Sequence, residues 1–143
     1  MKICFLDNVK IPYTYKDIYS NKIRGAENVV LNLSKELSKL NHNVTIYNNC
    51  EKNIKIDNIN WVNINNIKDN PYFDLAISNN DIRLFDKISA SKKIAISHSV
   101  QSIEKFIRKG QLFSYIKHKP KIALLRNYHK KNRNYLLRIF GSF

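Results

Sequence analysis

Ala26, Val29, Val30, Leu33, Leu37 and Leu40 recur at steps of three and four, so they line one face of an amphipathic helix of about four turns. Asn28, Asn32, Ser34, Lys35, Glu36 and Lys39 take the opposite face. A strand-like run, Lys2 to Leu6, precedes this helix, and a second, Asn43 to Tyr47, begins just after it. That order is a β-α-β unit with Gly25 at the mouth of its helix. It predicts an α/β fold whose sheet is mostly parallel, because parallel neighbours need a crossover of this kind.

A helix N-terminus at the carboxyl end of a sheet presents free N–H groups and a partial positive charge. A glycine there lets a phosphate or sugar oxygen approach the backbone closely. The other reading is that Gly25 permits a tight turn while Glu27 complements the helix dipole. A single glycine does not separate the two.

The later chain supplies more strands. Asn60 to Ile64 reads as a strand with Trp61 at an edge, after a polar linker from Glu51 to Ile59. A turn at Lys68–Tyr72 leads into a buried strand, Phe73 to Ser78. Asp81 is placed to cap a helix through Ile82, Leu84, Phe85 and Ile88. The run Lys92 to His98 is the next strand, and Val100 to Lys109 a helix turning Ile103, Phe106 and Ile107 inward until Gly110 breaks it. Lys121 to Ile139 has a helical pattern, with Leu124, Leu125, Tyr128, Tyr135, Leu136 and Ile139 on one side. In an open α/β sheet ligands sit beyond the carboxyl ends of the strands. Gly25, Asn79, Asn80 and His98 all fall on that edge.

Composition narrows the classes. With 143 residues, 43% of them hydrophobic, the chain fits one domain with a real core, spanning residues 1–143. Only three glycines occur, and no G-x-G-x-x-G. Cys4 and Cys50 form no metal or disulfide pattern, and Cys4 fits a small buried thiol inside the first strand. No apolar run approaches the ~20 residues of a spanning helix, and the first residues read directly as a strand, so a cytoplasmic protein is the expectation.

Charge is uneven. Residues 1–91 carry 12 Lys/Arg against 10 Asp/Glu, whereas residues 92–143 carry 13 Lys/Arg against Glu104 alone. Such a block attracts polyanions, whether an anionic membrane, nucleic acid or phosphate-bearing substrates. A basic, aromatic-bearing amphipathic segment around Lys117, Lys119, Lys121, Arg126, Lys130, Lys131 and Arg133 is the expected membrane contact. Nucleic acid is the weaker expectation, since no recognised motif accompanies the charge.

Gly25-Ala26-Glu27-Asn28-Val29-Val30-Leu31-Asn32-Leu33, then Glu36-Leu37 and Leu40-Asn41-His42-Asn43-Val44-Thr45, resembles the N-terminal domain of family-4-like retaining glycosyltransferases with the GT-B fold. Arg24 stands where that family has its first glycine. Asn41 stands where its helix ends in glycine, and asparagine tolerates the left-handed conformation wanted there.

The resemblance implies a Rossmann-like, doubly wound domain forming the acceptor side of the transferase. It implies sugar transfer from a nucleotide-sugar to a hydroxyl or lipid-linked acceptor, with no required metal or other cofactor. His98 takes the role of the family's histidine beside the donor sugar, while Arg24, Gly25, Asn79 and Asn80 line the ligand edge. It further implies that the donor-binding domain is missing, through truncation or because a separate chain supplies it. The rival is a non-catalytic module that grips nucleic acid or an anionic membrane, peripheral to the inner face, through its basic last third.

Overall fold

Alternation divides the first strand between two cores. In β1 (Lys2–Leu6), Ile3 and Phe5 join one buried cluster while Cys4 and Leu6 join the other. A strand buried on both faces must be central in a sheet covered on both sides. A computed structural model of the chain describes residues 1–19, 23–98, 102–127 and 135–140 and places β1 there.

The helix α1 (Gly25–Lys39) follows, then β2 (Asn43–Asn48), β3 (Ile54–Ile56) and β4 (Ile59–Asn63). After them come β5 (Tyr72–Asn79), β6 (Ser89–Ser97), α2 (Ser102–Arg108), α3 (Leu112–His118), β7 (Lys121–Asn127) and β8 (Tyr135–Phe140). Across the sheet the order is β3-β4-β2-β1-β5-β6-β7-β8. Every pairing from β4 to β7 is parallel, and each outer strand, β3 and β8, is antiparallel to its neighbour. The chain is therefore an α/β protein with a mostly parallel sheet. No described helix is long and apolar enough to cross a membrane.

Val30 and Leu31 of α1 cover one face together with Val44, Ile46, Ile59 and Trp61. The other face is covered by a 3₁₀ segment, Ile82–Lys87, and by Phe106 of α2. Asp81 does cap that segment, its Oδ1 accepting from the Arg83 N–H at 3.1 Å, but the coil is 3₁₀ and not the expected α-helix. Asn41 ends α1 with φ 61°, the left-handed value anticipated from its place. The His42 N–H reaches the Leu37 carbonyl at 3.2 Å and the Asn41 N–H the Ser38 carbonyl at 3.0 Å. Those two bonds make a Schellman motif with asparagine in the glycine position.

Four expectations are corrected. The span Lys121–Ile139 is not a helix: β7 pairs with β6, Ile122 opposite Ala95 and Ala123 opposite Ile96, and β8 folds back against β7. Pairing to an existing sheet edge outweighs a local helical pattern. Residues 128–134, with Lys130, Lys131 and Arg133, lie outside the described residues. Of the three α2 side chains expected to turn inward, Phe106 is buried, but Ile103 and Ile107 are 47% and 48% exposed.

The linker before β4 contains β3, whose Ile56 pairs with Ile59 across Asp57-Asn58. Both turn residues have positive φ, 51° and 62°, as a two-residue hairpin demands. β3 thus covers β4, so Trp61 is fully buried and not at an edge.

Candidate functional site

The direction of strand addition reverses between β1 and β5, and a crevice opens at the carboxyl ends of strands at such a point. A cleft of about 550 Å³ lies here. Its wall includes Asp7 just past β1, Arg24 and Glu27 at the start of α1, Asn79 and Asn80 at the end of β5, and Gln111 before α3. Three of the expected residues, Arg24, Asn79 and Asn80, are thus brought together. Gly25 sits between the wall residues Arg24 and Ala26, and His98 stands one residue past β6, behind Asn79.

Gly25 is the first residue of α1 and has ordinary backbone geometry, and a Cβ built on it would meet nothing within 4 Å. No tight turn demands a glycine at this position. The N-terminus is capped by Glu27, whose Oε2 accepts the Arg24 N–H at 2.6 Å. Glu27 is buried, so its carboxylate offsets the positive end of the helix from inside the wall.

Asp7 is the group that sequence reading missed. It is 2% exposed, and its Oδ2 accepts the Tyr13 hydroxyl at 2.6 Å. Burial raises its pKa to about 6, against the lowering effect of hydrogen bonds from Tyr13 and Asn79, and nearby Glu27 adds to the rise. The signal available was an aspartate one residue beyond the central strand, at the edge where ligands bind. Tyr13 itself folds inward, edge-on to Trp61 with ring centroids 6.0 Å apart.

The Asn79 amide lies near the Asp7 carboxyl, and its Oδ1 faces His98. His98 Nε2 lies 2.9 Å from that oxygen. An amide oxygen only accepts, so Nε2 carries the proton and Nδ1 is left with its lone pair. Partial burial and then the Lys105 cation hold the His98 pKa below the usual histidine value, favouring the neutral ring. A neutral imidazole fixed in this way can accept a hydroxyl proton at Nδ1.

Asn80 has φ 60°, a left-handed conformation that asparagine tolerates. Its N–H donates to the Ile96 carbonyl at 3.0 Å and its Oδ1 accepts from Lys105 Nζ at 2.9 Å. Asn80 Nδ2 reaches Asn79 Oδ1 at 3.4 Å, so the side chains His98, Asn79, Asn80 and Lys105 run as one hydrogen-bonded chain along the carboxyl edge. They stand at the ends of β5 and β6 and on α2.

Comparison with protein-family models, with curated proteins and with solved structures finds no match. Carboxylates (Asp7, Glu27, Asp81) alternate with cations (Lys10, Arg24, Arg83, Lys109) and amides (Asn79, Asn80, Gln111). Such a surface offers many donors and acceptors without one dominant sign. With four cations against three carboxylates it is close to charge-balanced, which suits a polar, largely uncharged molecule.

Proposed function

We propose that this chain is the acceptor-side, Rossmann-like half of a retaining GT-B sugar transferase, holding a saccharide or other hydroxyl acceptor in the switch-point cleft. Taken alone in chain order, the parallel strands lie 3-2-1-4-5-6 across the sheet, the order of doubly wound dinucleotide-binding domains. The observation that carries the proposal is the mixed polar wall beside Gly25, with His98 held behind it by Asn79.

Within this reading His98 meets a hydroxyl of the reacting sugar. Asn79 and Asn80 fix the edge, and Gly25 leaves room for a ligand oxygen that a methyl group would obstruct. Arg24 fills the place where the family that this chain resembles has its first glycine. The nucleotide-sugar donor is held by a second domain or chain. The isolated protein then transfers no sugar, because transfer needs both substrates oriented in one closed cleft.

The test is an amide-resolved NMR titration of the purified chain with simple glycosides and, separately, with free uridine and guanosine diphosphates. Glycosides should shift the Ala26, Asn79 and Asn80 amides with weak, roughly millimolar affinity, as befits half a site. Gly25→Ala should weaken that binding several-fold and leave the melting temperature no lower, since space and backbone both admit a methyl group. Glycosides that leave these amides unmoved, or a diphosphate that binds there more tightly, would overturn the proposal.

A further inference from the structure

Among the described residues, ten large apolar side chains remain exposed, and five of them sit on α2 and α3. They are Ile103, Ile107, Leu112, Phe113 and Ile116, with Phe113 77% exposed and Ile116 58%. On α2, Ile103 and Ile107 are four residues apart and share a face, while Phe106 points to the core. On α3, Phe113 and Ile116 are three apart, and Ser114 is turned inward. Isolated exposed apolar residues are ordinary; a concentration of this kind marks an interaction surface.

The connection between the helices is fixed. Gly110 has φ 70°, the Gln111 N–H donates to the Phe106 carbonyl at 2.8 Å and the Gly110 N–H to the Ile107 carbonyl at 2.9 Å. This second Schellman motif sets the turn between α2 and α3. Gln111 then anchors it, its buried Oε1 accepting the Ile82 N–H at 2.9 Å. The outward apolar side chains are held on a built corner.

Cations surround them. Arg108, Lys109, Lys117 and Lys119 are exposed on the same segment, and Glu104 is its one acidic residue. Lys117 is drawn to Asp86 at 2.5 Å. After burial, Lys109 and Arg108 are what hold the Lys105 pKa down, so positive charge here is crowded.

We infer that the α2–α3 corner is a docking surface for an anionic lipid bilayer, with Phe113, Ile116, Ile103 and Ile107 entering the interface and Arg108, Lys109 and Lys119 meeting the headgroups. The apolar component separates a bilayer from a nucleic acid, which would engage the cations and leave Phe113 in water. The charge separates it from a second copy, since two chains of formal charge +14 would bring like surfaces together. A bilayer is the one common partner that takes apolar side chains and cations over the same area. This inference concerns helices outside the cleft wall except at Lys109 and Gln111, so it stands or falls apart from the sugar-binding proposal.

The experiment is co-sedimentation of the full chain with phosphatidylcholine vesicles, and with the same vesicles containing phosphatidylglycerol, at physiological salt. The wild type should bind the anionic vesicles at least tenfold more tightly than the neutral ones. Phe113→Asp, at an exposed position, should keep its melting temperature and lose about tenfold in partitioning. Tyr72→Asp, exposed at the far end of β5, should bind as the wild type does. Equal binding to both vesicle types, no binding to either, unchanged partitioning of Phe113→Asp, or tighter binding to RNA than to anionic vesicles would each overturn the inference.

Discussion

The two halves of the sheet solve the crossover problem differently. Between β1 and β2 the chain spends fifteen residues on α1, long enough to make its own hydrogen-bond ladder and to lay a continuous apolar stripe on the strands. Between β5 and β6 it has a six-residue 3₁₀ segment, and between β6 and β7 two helices of seven residues each. Helices of two turns are marginal on their own and exist through caps, turns and packing. The first half is therefore stabilised by burial along one element. The second depends on individual residues such as Asp81, Gly110 and Gln111, and leaves much of its helical surface facing outward.

Deleting apolar volume tests that contrast most strongly. Leu31 is fully buried on the inner face of α1, and Leu31→Ala should lower stability by about 2–5 kcal/mol in urea unfolding. Ile116→Ala, on the outward face of α3, should change it by no more than about 0.5 kcal/mol. Comparable losses at both sites would mean that α3 is packed as tightly as α1, and the contrast would be gone.

A smaller effect belongs to Asp7. Its carboxyl titrates near 6 in the folded chain, against an ordinary value of 3.8. Between those values the folded state holds a proton that the unfolded state has released. Asp7 therefore makes stability fall as pH rises from about 4 to above 6, by up to about 3 kcal/mol from this group. Asp7→Asn has no such proton to lose, and its advantage over the wild type should open across that window and stay constant above it. Parallel stability profiles for the two proteins from pH 4 to 7 would show that the burial of Asp7 carries no such penalty.

The smallest effect compares the two helix ends that share one motif. Gly110→Ala puts a side chain into a left-handed position and should cost about 1 kcal/mol. Asn41→Gly, at the matching place after α1, should raise stability by less than that. Thermal unfolding of both variants decides it, and a loss at Asn41→Gly would mean that the asparagine side chain makes a stabilising bond of its own.

What the sequence disclosed follows the same division. α1, its flanking strands and the left-handed Asn41 were legible because stripe, alternation and cap are local patterns. The span from Lys121 was misread because its apolar spacing satisfies a helix, while its conformation is set by β6 about 25 residues earlier. β3 could have been found from Ile54-Lys55-Ile56-Asp57-Asn58-Ile59, an alternating run and a two-residue turn of the types that accept positive φ. Of the site, the positions along the carboxyl edge were legible from strand ends alone. The bond from His98 to Asn79, and Asp7 behind it, were not, because they join residues 19 and 72 positions apart.

Trp61 is the only tryptophan in the chain, and the ring that meets it edge-on is Tyr13, whose hydroxyl holds Asp7. The fluorophore of the protein is thus one side chain removed from the carboxylate of the cleft, although it is wholly buried beneath α1 and β3. Any event that shifts Tyr13, whether Asp7 gains a proton or a ligand draws the carboxylate aside, changes the edge pressed against the indole. Intrinsic emission should then register occupancy of the cleft without an attached label, so that filling of the site can be followed optically in the unmodified protein.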